Sequence, residues 1–229
     1  MIELAALDMA GTTIEEHGDV YAALRDAAEA EGARVSAALV RQWMGIDKRE
    51  AIAALVEAGG GPRLDGPALE RAYQRFRGLL DDRYRARPPA PVAGVPEALA
   101  ALRAAGVRVA LTTGFARDVA EPLLASVGWA VGGDLVDAMV CADDVPAGRP
   151  APYLVFRAME RTGVHDVARV LVAGDTVADL RSGTNAGAGV VVGVATGALG
   201  LADLGAERHT HLLPGVADLP ALVAALDQR

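Results

Sequence analysis

Glu3-Leu4-Ala5-Ala6-Leu7-Asp8-Met9-Ala10-Gly11-Thr12-Thr13 is the stretch from which the rest of the chain can be read. Leu4 to Leu7 make a short apolar run of the kind that fits a strand buried on both faces. Asp8 closes the run, and Gly11-Thr12-Thr13 follow at once. In an open α/β sheet, functional groups sit just beyond the carboxyl ends of the strands, so Asp8 stands where a nucleophile or a metal ligand would be placed. Taken alone, it reads more readily as a cap on the segment that follows.

Outward from this stretch the pattern changes twice. Residues 15–19 are polar turn material, and a helical zone follows. Tyr21, Leu24, Ala27 and Ala28 recur at helical spacing before Gly32, and Ser36 can cap a second helix carrying Leu39, Val40 and Trp43. Arg49 to Ala58 reads as a helix broken by Gly59-Gly60-Gly61-Pro62. A longer helix from about Pro67 to Tyr84 places Leu69, Tyr73, Phe76, Leu79 and Leu80 on one face. Nothing from 15 to 87 reads as a strand. Beyond Pro88-Pro89-Ala90-Pro91 the pattern alternates, with helices expected at 95–105, 118–127, 152–162 and 179–186. Strands are expected at 107–111, 138–141, 170–173 and 189–194, and a last short one at 211–213. This predicts an α/β fold, a doubly wound parallel sheet of Rossmann type. The core domain would comprise 1–14 and 88–229, interrupted by an all-helical domain at 15–87.

Composition narrows the function. In 229 residues, 52% are hydrophobic, enough for a substantial core, and the net charge of -8 argues against nucleic acid or an anionic membrane as partner. No basic segment followed by an apolar one opens the chain, and no stretch reads as a membrane span. Cys141 is the sole cysteine, which excludes an internal disulfide and fits a reducing, cytoplasmic setting. Of the 22 basic residues only Lys48 is a lysine.

Four expected strands deliver polar groups at their carboxyl ends. Asp8 and Asp175 are hard oxygen donors that suit Mg²⁺ completed by waters, a backbone carbonyl and a phosphate oxygen. Asp179, four residues after Asp175, could hold a metal-bound water or orient Asp175 from a second shell. Thr113 and the N–H of Gly114 can donate to an anionic oxygen, and Arg149 brings a fixed positive charge between Gly148 and Pro150. Each has a plainer reading, as helix-terminal charge, turn hydroxyl or solvated loop residue. Together they are the parts of phosphoryl transfer.

The set Asp8-Met9-Ala10-Gly11-Thr12-Thr13, Thr112-Thr113-Gly114, Arg149-Pro150 and Gly174-Asp175-Thr176-Val177-Ala178-Asp179 resembles the haloacid dehalogenase superfamily, with a helical cap inserted after the first strand. Within it, the chain is most similar to the phosphonatase (phosphonoacetaldehyde hydrolase) branch. The resemblance implies that Asp8 is the nucleophile, that Asp8, the Ala10 carbonyl and Asp175 hold Mg²⁺, that Arg149, Thr113, Gly114 and Thr12 bind phosphoryl oxygens, and that Met44 lines the substrate site. It also implies a homodimer formed through the cap.

Two positions set the chemistry expected. Phosphatases and mutases of the superfamily usually carry an acidic residue two positions after the nucleophile, where this chain has Ala10, which cannot move a proton. Breaking a P–C bond needs an electron sink more than an acid, and a lysine imine one carbon away supplies it. Arginine, always protonated, cannot. Met44-Gly45-Ile46-Asp47-Lys48 resembles the phosphonatase segment that carries the Schiff-base lysine. The chain departs from that branch at Ala51, Phe115 and Gly18, where the branch has a histidine, a tyrosine and a cysteine. The expected function is Mg²⁺-dependent cleavage of phosphonoacetaldehyde or a related carbonyl phosphonate. The alternatives are a phosphatase or phosphomutase acting on a small phosphate ester, and a non-catalytic protein that binds a phosphoryl ligand.

Overall fold

The computed structural model describes residues 1–228. Its centre is a parallel sheet of six strands. They are β1 (Leu4–Asp8), β4 (Arg108–Thr112), β5 (Ala138–Val140), β6 (Val170–Gly174), β7 (Val190–Val194) and β8 (His211–Leu213). The order across the sheet is β5-β4-β1-β6-β7-β8. From β1 the chain therefore builds outward on one side through β4 and β5, then crosses to build the other side from β6. That reversal puts the switch point, where open sheets bind ligands, between β1 and β6. Asp8 ends the one strand and Asp175 follows the other.

Every residue of β1, β6 and β7 is buried, as continuous apolar runs require in a sheet covered on both faces. The two-residue period separates the faces. Leu4 and Ala6 join a cluster with Leu154, Val155 and Ala158, whereas Ala5 and Leu7 point to the opposite face with Leu99, Leu219 and Val223. The covering helices are α5 (Val95–Ala104), α6 (Arg117–Ser126), α7 (Tyr153–Thr162), α8 (Val177–Ala186), α9 (Leu201–Leu204) and α10 (Leu219–Asp227).

The segment between β1 and β4 holds four further helices, α1 (Asp19–Glu29), α2 (Ala37–Gln42), α3 (Lys48–Ala58) and α4 (Gly66–Ala86). Helix α1 packs on α3 and α4, burying Leu24, Ala27 and Ala28 against Ile52, Leu55, Tyr73 and Phe76. Their N-termini are written in the sequence. Ser36, Asp47 and Asp65 each accept a backbone N–H three residues on, satisfying donors that the helix cannot.

The chain enters and leaves this helical segment through a small antiparallel ribbon, β2 (Ile14–Glu15) paired with β3 (Ala90–Pro91). The expectation of no strand from 15 onward is corrected here by Glu15. A two-residue pairing whose partner strand contains proline leaves no alternating pattern to read. Helices α9 and α10 are likewise additions to the expected elements, and the remaining core elements fall within two residues of expectation. No helix among the described residues is long and apolar enough to cross a membrane.

Candidate active site

The site begins where β1 and β4 end side by side, with Asp8 in register with Thr112. Arg149, arriving on the loop before α7, ties the two strand ends together. Its Nη1 donates to Asp8 Oδ1 at 2.7 Å, and its Nη2 donates to Thr112 Oγ1 at 2.7 Å and to the Thr112 carbonyl at 3.0 Å. Both charged groups are buried. Burial pushes the Asp8 carboxyl up to about 6, against the pull of Arg149. Burial also works against the guanidinium, but Asp179 and Asp8 outweigh it and hold the proton more firmly than usual.

Two more carboxylates complete the cluster. Oxygens of Asp8, Asp175 and Asp179 lie within 4.8 Å of one another, and all three residues are buried. Asp175 Oδ1 accepts the Thr12 hydroxyl at 2.7 Å. Asp179 is the third residue of α8 in a capping box with Thr176, its Oδ2 accepting the Thr176 N–H at 3.0 Å and the Thr176 hydroxyl at 2.5 Å. Its Oδ1 lies 2.9 Å from Arg149 Nη1 yet has no hydrogen bond, an orphaned buried oxygen. Burial, then Asp8 and Asp179, drive the Asp175 carboxyl well above its usual range. A buried, all-oxygen donor set with more negative than positive charge, and one oxygen that accepts no hydrogen bond, fits a hard divalent cation.

The inserted helices close over this cluster. Gly45 sits at φ +76°, and a Cβ there would fall on Thr176 Oγ1. A Cβ on Gly114 would come within 2.6 Å of the Ile46 carbonyl. Both glycines are what lets residues 44–48 lie directly on the core loops. The approach carries Lys48, first residue of α3, to the site. It lines one small cavity together with Asp8, Thr113 and Arg149, a space of about 20 Å³ with room for about one water. Lys48 Nζ donates to the Ile46 carbonyl at 2.9 Å and lies 5.1 Å from the centre of the Phe115 ring. Burial lowers its ammonium to about 8, against the attraction of Asp47 and Asp8.

Of the residues singled out from sequence, Asp8, Ala10, Lys48, Thr113, Gly114 and Arg149 face this single cavity. Thr113 Oγ1 accepts the Phe115 N–H at 3.1 Å, leaving its own proton uncommitted. Met44 is buried on the other side of the Gly45 backbone, in a pocket with Ile46 and Pro150. Thr12 is taken up by Asp175. Sequence reasoning passed over Thr112, Thr176 and Tyr21. The two threonines have no distinctive spacing, and Tyr21 reads as an ordinary apolar position of a helical stripe.

Comparison with known proteins places the arrangement. Residues 2–187 match the haloacid dehalogenase-like hydrolase family. A phosphonoacetaldehyde hydrolase of Bacillus thuringiensis is 32% identical over 207 residues, spanning 84% of this chain and 76% of its own length. A phosphonoacetaldehyde hydrolase-like protein of Oleispira antarctica has the same fold, with a TM-score of 0.82 at 23% identity over 100% of this chain and 93% of its own. So does a β-phosphoglucomutase of Clostridium difficile, with a TM-score of 0.83 at 16% identity over 100% and 98% of the two chains.

Proposed function

This chain belongs to the haloacid dehalogenase-like hydrolases, and we propose that within that family it cleaves the carbon–phosphorus bond of phosphonoacetaldehyde or a related carbonyl phosphonate. One observation carries the reading. The sole lysine of the chain shares one small cavity with the candidate nucleophile Asp8. A lysine near pH 8 keeps enough free amine to attack a carbonyl, which a solvated surface lysine does not.

The residues then divide the work. Lys48 condenses with the substrate carbonyl to give an iminium. Asp8 attacks phosphorus, the P–C bond breaks, and its electron pair moves into the iminium to give an enamine. The enamine takes a proton on carbon and the imine is hydrolysed, while water releases phosphate from the aspartyl phosphate. Arg149 has more N–H donors than Asp8 and Thr112 use, and with Thr113 and the Gly114 N–H it would hold phosphoryl oxygens. Asp8, Asp175 and the Ala10 carbonyl would hold Mg²⁺, with Asp179 orienting them. The ion would neutralise the charge that a phosphoryl group adds to the carboxylates.

Residues 15–87 act in this reading as a cap on the core formed by 1–14 and 88–229. The cavity is too small for the substrate, so the cap must swing away to admit it, and the β2–β3 ribbon is the natural hinge. Closure would also keep water from the imine before phosphoryl transfer.

The rival is hydrolysis or transfer of a phosphate ester. It is disfavoured by Ala10, which cannot protonate a leaving oxygen. Free phosphate release from phosphonoacetaldehyde, measured beside a panel of small phosphate esters, separates the two. Release from the phosphonate, lost in Lys48→Arg, supports the proposal. Release from the esters alone contradicts it.

A further inference from the structure

Tyr21 lines the cavity, and the reading above gives it no task. Two inserted helices, α1 and α3, pack on each other and each sends a polar residue from its first turn into the cavity. From α3 it is Lys48, and from α1 it is Tyr21. The remaining polar side chains there belong to the core. Asp8 and Arg149 pair with each other, Thr176 bonds Asp179, and Thr113 accepts the Phe115 N–H, its free proton and the spare Arg149 donors being assigned above to phosphoryl oxygens. Lys48 donates to the Ile46 carbonyl. The Tyr21 hydroxyl enters none of these bonds.

The residues lining this one-water space fall into two sets, from the core and from the inserted helices. The core set, with Asp8, Arg149, Thr113 and Gly114, suits the phosphoryl group. The inserted set, with Lys48 and Tyr21, is left for the carbonyl. We propose that Tyr21 is a further catalytic residue of the inserted set, its hydroxyl donating to the substrate carbonyl oxygen as Lys48 adds to the carbonyl carbon. This rests on the Schiff-base reading above.

The step balances without proton transfer from tyrosine. The free amine of Lys48 forms the N–C bond, and the C=O π pair moves onto oxygen, where the Tyr21 O–H meets the developing charge. The nitrogen proton then passes to that oxygen. With a second proton from solvent the hydroxyl leaves as water, and the iminium remains. Tyr21 also lines an outer groove of about 390 Å³, together with Asp175 and Gly197.

The test is trapping with phosphonoacetaldehyde and cyanoborohydride on the full chain, following the mass adduct at Lys48 with time. Tyr21→Phe should trap more slowly by roughly 10²-fold, the cost of one missing oxyanion donor. Its melting midpoint and its affinity for inorganic phosphate, read by calorimetry, should match those of the unsubstituted chain. Trapping at the unsubstituted rate overturns the proposal, and so does a parallel loss of phosphate affinity, which would put Tyr21 with the core set. If the unsubstituted chain traps nothing, the Schiff-base reading itself fails and this inference falls with it.

Discussion

Tyr73 Oη donates to Asp118 Oδ1 at 3.1 Å, a bond that runs from the inserted helix α4 to the first turn of core helix α6. Arg77 adds an ion pair to the other Asp118 oxygen at 3.0 Å. On its far side the Tyr73 ring is covered at 3.6 Å by the guanidinium of Arg49, the neighbour of Lys48. Asp118 thus braces the face of the insert that carries the lysine.

Asp118→Ala should loosen the closed arrangement without touching the reacting atoms. One hydrogen bond and one partly exposed ion pair are together worth about 1–2 kcal/mol, so kcat/KM should fall roughly tenfold. The loss should lie mostly in KM, and hydrogen exchange in residues 44–48 should rise. Asp118→Asn, which keeps an acceptor for Tyr73, should recover part of both. Unchanged exchange in both variants contradicts the bracing role.

The glycine at position 45 makes the approach possible from the other side. Gly45→Ala adds a methyl group where Thr176 Oγ1 already lies, at a backbone φ of +76° that disfavours any side chain. The variant should fold, because the clash is between the insert and the core rather than within either. Its phosphate release from phosphonoacetaldehyde should fall by at least about tenfold, since roughly 1.4 kcal/mol of strain on closure suffices for that. Full activity would contradict closure through this contact.

The three buried carboxylates predict a dependence on metal that is visible without any substrate. Saturating Mg²⁺ at about 100 times its Kd should stabilise the fold by roughly 2.7 kcal/mol, raising the melting midpoint by about 5–10 °C. Chelation should abolish phosphate release, and Asp175→Asn should abolish the thermal shift. A midpoint indifferent to Mg²⁺ in the unsubstituted chain contradicts the assignment.

Lys48 predicts two pH dependences, one of activity and one of stability, and both rise with pH. The free amine is the reactive form, so kcat/KM for the phosphonate should rise about tenfold per unit below pH 8 and level off above it. Stability carries the cost. The folded ammonium loses its proton near 8 and the unfolded one near 10.5, so between those values the unfolded chain binds more protons and stability rises with pH. Below pH 8 the buried charge costs roughly 3 kcal/mol. Lys48→Met should therefore be inactive but more stable at pH 7 by up to that amount, with the gap closing by pH 10.5. A less stable Lys48→Met at pH 7 contradicts the buried-charge account.

Much of this site was legible in the residues themselves. The motifs of Asp8, Thr113 and Asp175 follow apolar strands directly, so the sheet order carries them to one point once alternation fixes the fold, and Arg149 joins them on a longer loop after β5. Lys48 stood out because no other lysine competes with it. What composition and spacing could not supply is direction. Tyr21 sits on a helical stripe with Leu24 and Ala28, and the stripe alone does not tell a core tyrosine from one that faces a cavity. Thr12 shows the same limit, since its hydroxyl goes to Asp175 and not into the cavity. The β2–β3 ribbon escaped notice because Pro91 and two-residue strands carry no period.

The central claim is that Lys48 forms an imine with a carbonyl phosphonate. It is tested most directly by incubating the protein with phosphonoacetaldehyde and borohydride and locating the adduct by peptide mass spectrometry. The account predicts one reduced adduct, on Lys48, absent from Lys48→Arg and present in Asp8→Asn, where the imine forms but phosphorus is not attacked. An unmodified Lys48 in a chain that still releases phosphate from phosphonoacetaldehyde would contradict it.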